Sequence, residues 1–368
     1  MHIPFLSLAG QHEAIKAKVL AAMTEVYDRQ WFILGEQVAA FEREYSLANR
    51  VAYTVGVGNG LDALHLSMRA LGIRPGDEVL VPSNTYIATW LAVTMAGGVP
   101  VPIEPNWQTS NMDPAQLAAA VTSRTRGIIP VHLYGQPCEM STIMDVAAYH
   151  GLWVVEDNAQ AQSASWQGQL TGSFGRVNAT SFYPSKNLGA LGDGGAVTTN
   201  DEVLVHAVRQ LRNYGTERRY VSETIGYNSR LDELQAAVLR VKLHHLNEWT
   251  QQRRELAAWY SEDLADIPGL RLPFVADGAV SVWHLYVVHT SRRNALQQYL
   301  AAVGIETVVH YPIPPHLQPA YAGRGLFVGA LPIAEELAAT CLSLPLWPGM
   351  NRDMLSVVVK AIKEFFDQ

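Results

Sequence analysis

Short apolar runs and amphipathic stretches alternate through the first half of the chain. The runs Tyr53–Val57, Glu78–Pro82, Val99–Ile103, Gly127–Val131 and Leu152–Glu156 are too short for core helices and rich in β-branched residues, so they predict strands. Between them, Leu61–Ala70, Pro114–Val121 and Met140–His150 repeat apolar residues at helical spacing. This alternation predicts an α/β fold: a mostly parallel mixed sheet flanked by helices, with chemistry at the C-terminal ends of its strands. Gln11–Asp28 and Gly35–Leu47 read as surface helices that pack before the sheet begins.

The pattern changes after Asn228. Leu231, Leu234, Val238 and Val241 open a long helix that runs, with a bend, to about Asp263 and bridges two domains. Beyond it the reading is a strand (Val282–His289), a helix (Arg293–Val303), a strand (Glu306–His310), a Pro-rich loop (Pro312–Pro319) and a terminal helix (Met354–Phe366). The expected division is a large domain over 1–248 and a smaller α+β domain over 249–368. A length of 368 residues suits two domains, because single cores stop growing at roughly 250–300 residues.

Composition narrows the partners. With 48% hydrophobic and 17% charged residues the chain can bury a sizeable core. A net charge of −7 and a pI near 5.9 give no general attraction for nucleic acid or an anionic membrane, and neither partner is expected. No apolar run reaches the roughly 20 residues of a membrane span, and Met1–Gly10 carries no export pattern, so the expected location is cytoplasmic. Cys138 and Cys341 lie far apart without metal-ligand spacing; buried free thiols and no metal are expected.

Four stretches carry candidate chemistry. In Ser181-Phe-Tyr-Pro-Ser-Lys186-Asn-Leu-Gly-Ala-Leu-Gly-Asp-Gly-Gly195 a lone lysine follows a strand and precedes a crowded glycine turn. A desolvated lysine is partly neutral and can form a Schiff base, although the same residue reads equally well as a surface lysine beside a turn. Val154-Val-Glu-Asp157 delivers an acid at a strand end, suited to holding a proton on a ring nitrogen, or to capping a helix. Glu156 should face away from Asp157. Gly58-Asn59-Gly60, before the helix starting near Leu61, offers bare N–H groups to an anion. Tyr86, after the strand ending at Pro82, can stack on a flat ring or be an ordinary half-buried tyrosine.

Taken in order, these pieces resemble the DegT/DnrJ/EryC1/StrS family of sugar aminotransferases over essentially the whole chain. The matching stretches are Phe32-Ile-Leu-Gly-Glu with Phe41-Glu, Gly58-Asn-Gly-Leu-Asp-Ala-Leu, Pro82-Ser-Asn-Thr-Tyr-Ile-Ala-Thr, Glu156-Asp-Asn-Ala-Gln-Ala, Ser181 to Gly195, Gly226-Tyr-Asn-Ser-Arg-Leu-Asp-Glu-Leu-Gln-Ala-Ala and His310-Tyr-Pro-x-Pro. The resemblance implies fold type I and pyridoxal 5'-phosphate, with pyridoxamine phosphate as its second form. It implies Lys186 as the Schiff-base lysine, Asp157 on the pyridine nitrogen, Gln160 near the ring hydroxyl, Tyr86 on the ring, and Gly60 with Ser181 at the phosphate. It further implies that Asn228 serves the neighbouring subunit of a homodimer with shared active sites, although Asn228 also reads as a helix entry. Where many relatives place a hydroxyl residue after the phosphate-loop glycine, this chain has Leu61, whose backbone N–H remains available.

The wording around Gly58 and Ser83 resembles most the branch that aminates C3 of dTDP-linked 3-keto-6-deoxyhexoses, with L-glutamate as the implied donor. A sugar nucleotide brings a diphosphate, for which Arg218, Arg219 and Tyr220, expected in a loop, are candidates. Tyr183, His310, Tyr311 and His316 are the other candidate substrate contacts, whereas His284 reads as core or interface. Amination of a 4-keto sugar and a non-catalytic nucleotide-sugar or cofactor-binding protein stay open as alternatives. So does the configuration of the sugar at C4.

Overall fold

A computed structural model describes residues 2–367. Seven strands form one sheet in the order Tyr53–Val57, Gly195–Thr199, Val177–Ser181, Trp153–Asp157, Thr125–Ile128, Glu78–Pro82, Val99–Ile103. Gly195–Thr199 runs antiparallel to both neighbours and all other pairings are parallel. The C-terminal ends of six strands therefore meet at one edge, with the start of Gly195–Thr199 among them. Both faces are covered, as a parallel sheet requires. Val79, Val81, Val155 and Val197 point into one core with Leu64, Leu66 and Trp90. Their chain neighbours Leu80 and Val154 enter a second core with Ile128 and Ile143, and Ala196 enters a third with Phe41, Tyr45 and Phe182. This is the two-residue period of a strand written into burial.

The first helices span Ala9–Arg29 and Glu36–Asn49. The bridging helix is two helices, Glu233–Leu243 and Leu246–Asp263, broken at His244 and His245. Trp249 packs with Ile15 and Val19, while Leu256 and Tyr260 join a separate C-terminal core built on the strand pair Tyr286–His289 and Cys341–Leu344 and the helix Arg352–Phe366. Ile3 belongs to that C-terminal core and bridges to Ile305. Both cysteines are buried and free. Among the described residues no helix is long and apolar enough to cross a membrane.

Five sequence expectations are corrected. The strand expected at Gly127–Val131 is Thr125–Ile128, since Pro130 ends the ladder. Pro114–Val121 is a 3-10 turn followed by a single helical turn, Leu117–Ala120. Glu306–His310 is no strand: only Val308 pairs, with Ser343, before the prolines at 312, 314 and 315 remove the donors a ladder needs. Val282–Leu285 leaves its strand because it bonds to the 3-10 turn Leu133–Gly135, Val282 N–H to Gly135 O and Leu285 N–H to Tyr134 O. The loop expected at Asn213–Tyr220 contains a hairpin, Thr216–Arg218 against Val221–Ser222.

Candidate active site

At the shared strand edge lies a cavity of ≈ 500 Å³. Its floor is the strand Trp153–Asp157, which splits two adjacent acids between the faces of the sheet. Asp157 faces the cavity, accepting from the Thr89 hydroxyl at 2.9 Å and the Ala159 N–H at 3.2 Å. Burial raises its pKa, and Thr89, Ala159, Lys186 and His132 oppose that rise. Opposite stands Lys186, on the turn after the strand Val177–Ser181. Burial pushes its amine down to about 8, and the Asp157 carboxyl, at Coulombic rather than hydrogen-bonding range, pulls the other way. A share of neutral amine near neutral pH is the property a carbonyl-attacking lysine needs.

One wall is the start of the helix Gly60–Ala70. The Asn59 side chain caps the Asp62 N–H at 2.8 Å and the Asn59 carbonyl takes the Ala63 N–H, which leaves the N–H groups of Gly60 and Leu61 for a ligand. Gly60 is held here by space: a Cβ on it would stand 2.7 Å from the Ser181 Cβ. Gly195 is similarly held, since its Cβ would meet the Asn59 carbonyl oxygen at 2.4 Å. Gly58 lies just outside the wall and donates to Ser229 Oγ at 3.0 Å.

The opposite wall carries aromatic and imidazole groups. Tyr86, 56% exposed, has its ring centroid 5.3 Å from that of Tyr311. Gln160 accepts from the Tyr134 N–H at 2.6 Å and donates to the Tyr311 hydroxyl at 3.0 Å. His310 is 2.8 Å from Ser343 Oγ through Nδ1; burial, then the nearby Lys186, push it down to about 4. Tyr183 and His284 complete the wall.

The structure thus brings Asn59, Gly60, Leu61, Tyr86, Asp157, Gln160, Ser181, Tyr183, Lys186, His310 and Tyr311 around one cavity. Their chemistry fits pyridoxal phosphate: an amine facing an acid, bare N–H groups beside a serine, and an exposed ring at the mouth. Other candidates lie elsewhere. His316 is buried and bonded to Glu335 at 3.1 Å, outside the cavity wall, so its place as a substrate contact is corrected. Asn228, Arg218, Arg219 and Tyr220 are exposed and do not line their own chain's cavity. Arg219 instead sits 4.9 Å from the Tyr220 ring centroid.

The model of the DegT/DnrJ/EryC1/StrS aminotransferase family matches residues 13–363. The chain belongs to that family. A dTDP-3-amino-3,4,6-trideoxy-alpha-D-glucose transaminase of Streptomyces venezuelae is 48% identical over 366 residues, covering 100% of this chain and 97% of the relative. A dTDP-3-amino-3,6-dideoxy-alpha-D-galactopyranose transaminase of Aneurinibacillus thermoaerophilus is 47% identical over 363 residues, 99% of each chain. The crystal structure of S. venezuelae DesV in complex with a ketimine intermediate superposes with a TM-score of 0.98 at 48% identity, over 100% of this chain and 99% of that one. The family and its fold, expected from the ordered motifs, are therefore established.

Sequence reasoning missed three residues that line the cavity or shape it from behind. Thr89 carries no signal of its role in the sequence beyond lying one helical turn after Thr85, where its hydroxyl meets the strand-end acid. Gly195 closes against Asn59 only through the antiparallel strand. His284 reads in the sequence as core or interface, and it stands in the cavity wall.

Proposed function

We propose that this protein is a pyridoxal phosphate-dependent aminotransferase that moves the amino group of L-glutamate to C3 of a dTDP-linked 3-keto-6-deoxyhexose, giving a dTDP-3-amino-3,6-dideoxyhexose. The observation that carries the reaction class is a desolvated lysine facing a buried acid at the bottom of one cavity. The substrate class is supported by two relatives at 47–48% identity over nearly full length that bear the names of dTDP-3-aminosugar transaminases. They differ from one another at sugar C4, so the reading commits to C3 and to no C4 configuration.

When bound, pyridoxal phosphate acts as an electron sink that acidifies the carbon bearing the amino group. Lys186 would anchor it and, once released, would carry the donor's α-proton on Nζ over to the cofactor; in the second half Nζ would take that proton back and give it to the sugar carbon. Asp157, held in place by Thr89 and the Ala159 N–H, would face the ring nitrogen and hold a proton on it. Gly60, Leu61 and Ser181 would hold the phosphate, with Gly58 and Asn59 shaping the turn. Tyr86 would cover the ring face, and Gln160, fixed from both ends, would meet the ring hydroxyl. Tyr183, His310 and Tyr311 face the sugar.

This division assigns the cofactor to a large domain, 1–248, and part of the sugar to a small one, 249–368. Asn228, Arg218, Arg219 and Tyr220, exposed and outside the lining of their own cavity, complete the neighbour's site in a homodimer. The expected setting is cytoplasmic sugar-nucleotide metabolism. The test is a turnover assay with L-glutamate and a panel of dTDP-linked keto sugars. Amination of a 3-keto sugar is the expected result. Turnover confined to 4-keto sugars removes the regiochemistry, and silence across the panel with cofactor bound removes the enzyme.

A further inference from the structure

His284 enters the cavity because the segment Val282–Leu285 bonds to the loop after Val131 instead of continuing its strand. Its ring is held by Asn187, the chain neighbour of Lys186: Nδ1 lies 3.2 Å from the Asn187 side-chain oxygen. The Asn187 amide has no freedom to turn, since its Nδ2 donates to the Val282 carbonyl at 3.0 Å. An amide oxygen only accepts, so His284 carries its hydrogen on Nδ1 and Nε2 is a lone-pair acceptor. That acceptor has no partner among the described residues, in a wall shared with Lys186.

Resting on the aminotransferase reading, we propose that His284 is a positioning residue: its Nε2 accepts a hydrogen bond from the Lys186 amine whenever that amine is released from the cofactor. A lysine that must let go, carry one proton and return would otherwise swing free in a ≈ 500 Å³ space. An acceptor whose tautomer is fixed by the next residue in the chain gives the freed amine one resting place and stabilises its ammonium stage. The charges facing the pair fit that role. Burial first, then the neighbouring Lys186 and Arg253, hold His284 well below its usual range and therefore neutral. Arg253 is itself spent on the backbone carbonyls of Trp283, His284 and Leu346, and Asp157 acts on Lys186 at Coulombic range.

The experiment uses the full-length chain stripped of cofactor, with Lys186 labelled by reductive ¹³C-methylation and its resonance assigned with Lys186→Ala. The parent should titrate near 8, His284→Phe about one unit lower because the acceptor for the charged form is gone, and His284→Gln close to the parent. Loaded with cofactor, His284→Phe should keep its visible absorbance and its KM while kcat falls about 10-fold. Nitrogen-15 spectra of the unmutated protein should show the His284 hydrogen on Nδ1. An unchanged lysine titration in a folded His284→Phe, or a hydrogen on Nε2 in the parent, overturns the assignment. A parent that fails to bind pyridoxal phosphate would sink the aminotransferase reading instead, while the lysine titration and the ring tautomer still judge His284.

Discussion

Glu156 and Asp157 are neighbours on one strand, both buried, and they live in opposite worlds. Glu156, wholly excluded from solvent, takes the His132 Nε2–H at 2.9 Å and the N–H groups of Gly172, Phe174 and Gly175 at 2.6, 2.6 and 2.9 Å. The His132 tautomer is fixed by Cys138, whose N–H donates to Nδ1 at 3.0 Å. Every lone pair of that carboxylate is spent on joining the turn at 172–175 to the sheet. Asp157 keeps two bonds and an open side, facing a lysine that burial has made reluctant to carry charge. A buried acid that is fully satisfied stores stability, and one left partly unsatisfied against an unpaired amine is set up for a ligand.

The sharpest break of the comparison is Lys186→Ala. The purified parent should be yellow, and the variant should lose both that absorbance and turnover, by ~10⁴-fold; a variant that keeps its colour takes Lys186 out of its role. Next come the two acids. Asp157→Asn should cut turnover by ~10²-fold or more while changing the stability of the cofactor-free chain by less than about 1 kcal/mol, because burial already disfavours its charge. Glu156→Gln should do the reverse, costing roughly 2–4 kcal/mol in denaturant unfolding because an amide NH₂ would face N–H donors, with turnover per folded molecule largely kept. Equal behaviour of the two variants in both assays would erase the distinction.

Much of this contrast was legible in the sequence, and the rest was not for definable reasons. Alternation along Val154-Val-Glu-Asp157 put the two acids on opposite faces, and strand order put Gly60, Tyr86, Asp157 and Lys186 at one edge. These are local periodicities, and the structure agrees. What failed depended on contacts distant in sequence. His284 lies 97 positions from the Asn187 that holds it, and the wall exists only because Val282–Leu285 abandons its strand. His316 shares a Pro-rich loop with nothing in its local pattern to show that Glu335 buries it. Arg218 read as loop because two- and three-residue strands leave no periodicity to detect, while Arg219 and Tyr220 do form the turn between them.

A pH experiment sharpens the same comparison from the lysine's side. In the unfolded chain Lys186 titrates at 10.5 and in the folded chain at about 8. Between those values the unfolded state binds more protons, so stability gained from deprotonation rises with pH through this window. Lys186→Met should therefore stabilise the cofactor-free chain below pH 8, and the advantage should shrink to nothing by about pH 10.5. A constant advantage across that range would mean that the amine is not desolvated.

The smallest effect lies at the acid end. His310 titrates at 6.5 unfolded and at about 4 in its buried place beside Lys186. Its neutral form supports the fold fully above pH 6.5, and that support is lost as pH falls through the window toward 4, because the unfolded chain takes up the proton first. His310→Gln removes one such group and should flatten the acid limb of the stability curve, measured by denaturant midpoints at half-unit steps of pH. His289, pushed down to about 3 by burial and then by Arg271, sits outside the cavity wall and should leave the remaining slope in place. If His310→Gln leaves the limb as steep as in the parent, the imidazole at the cavity is not desolvated, and the contrast between the open and the satisfied face of the sheet would rest on the lysine and the two acids alone.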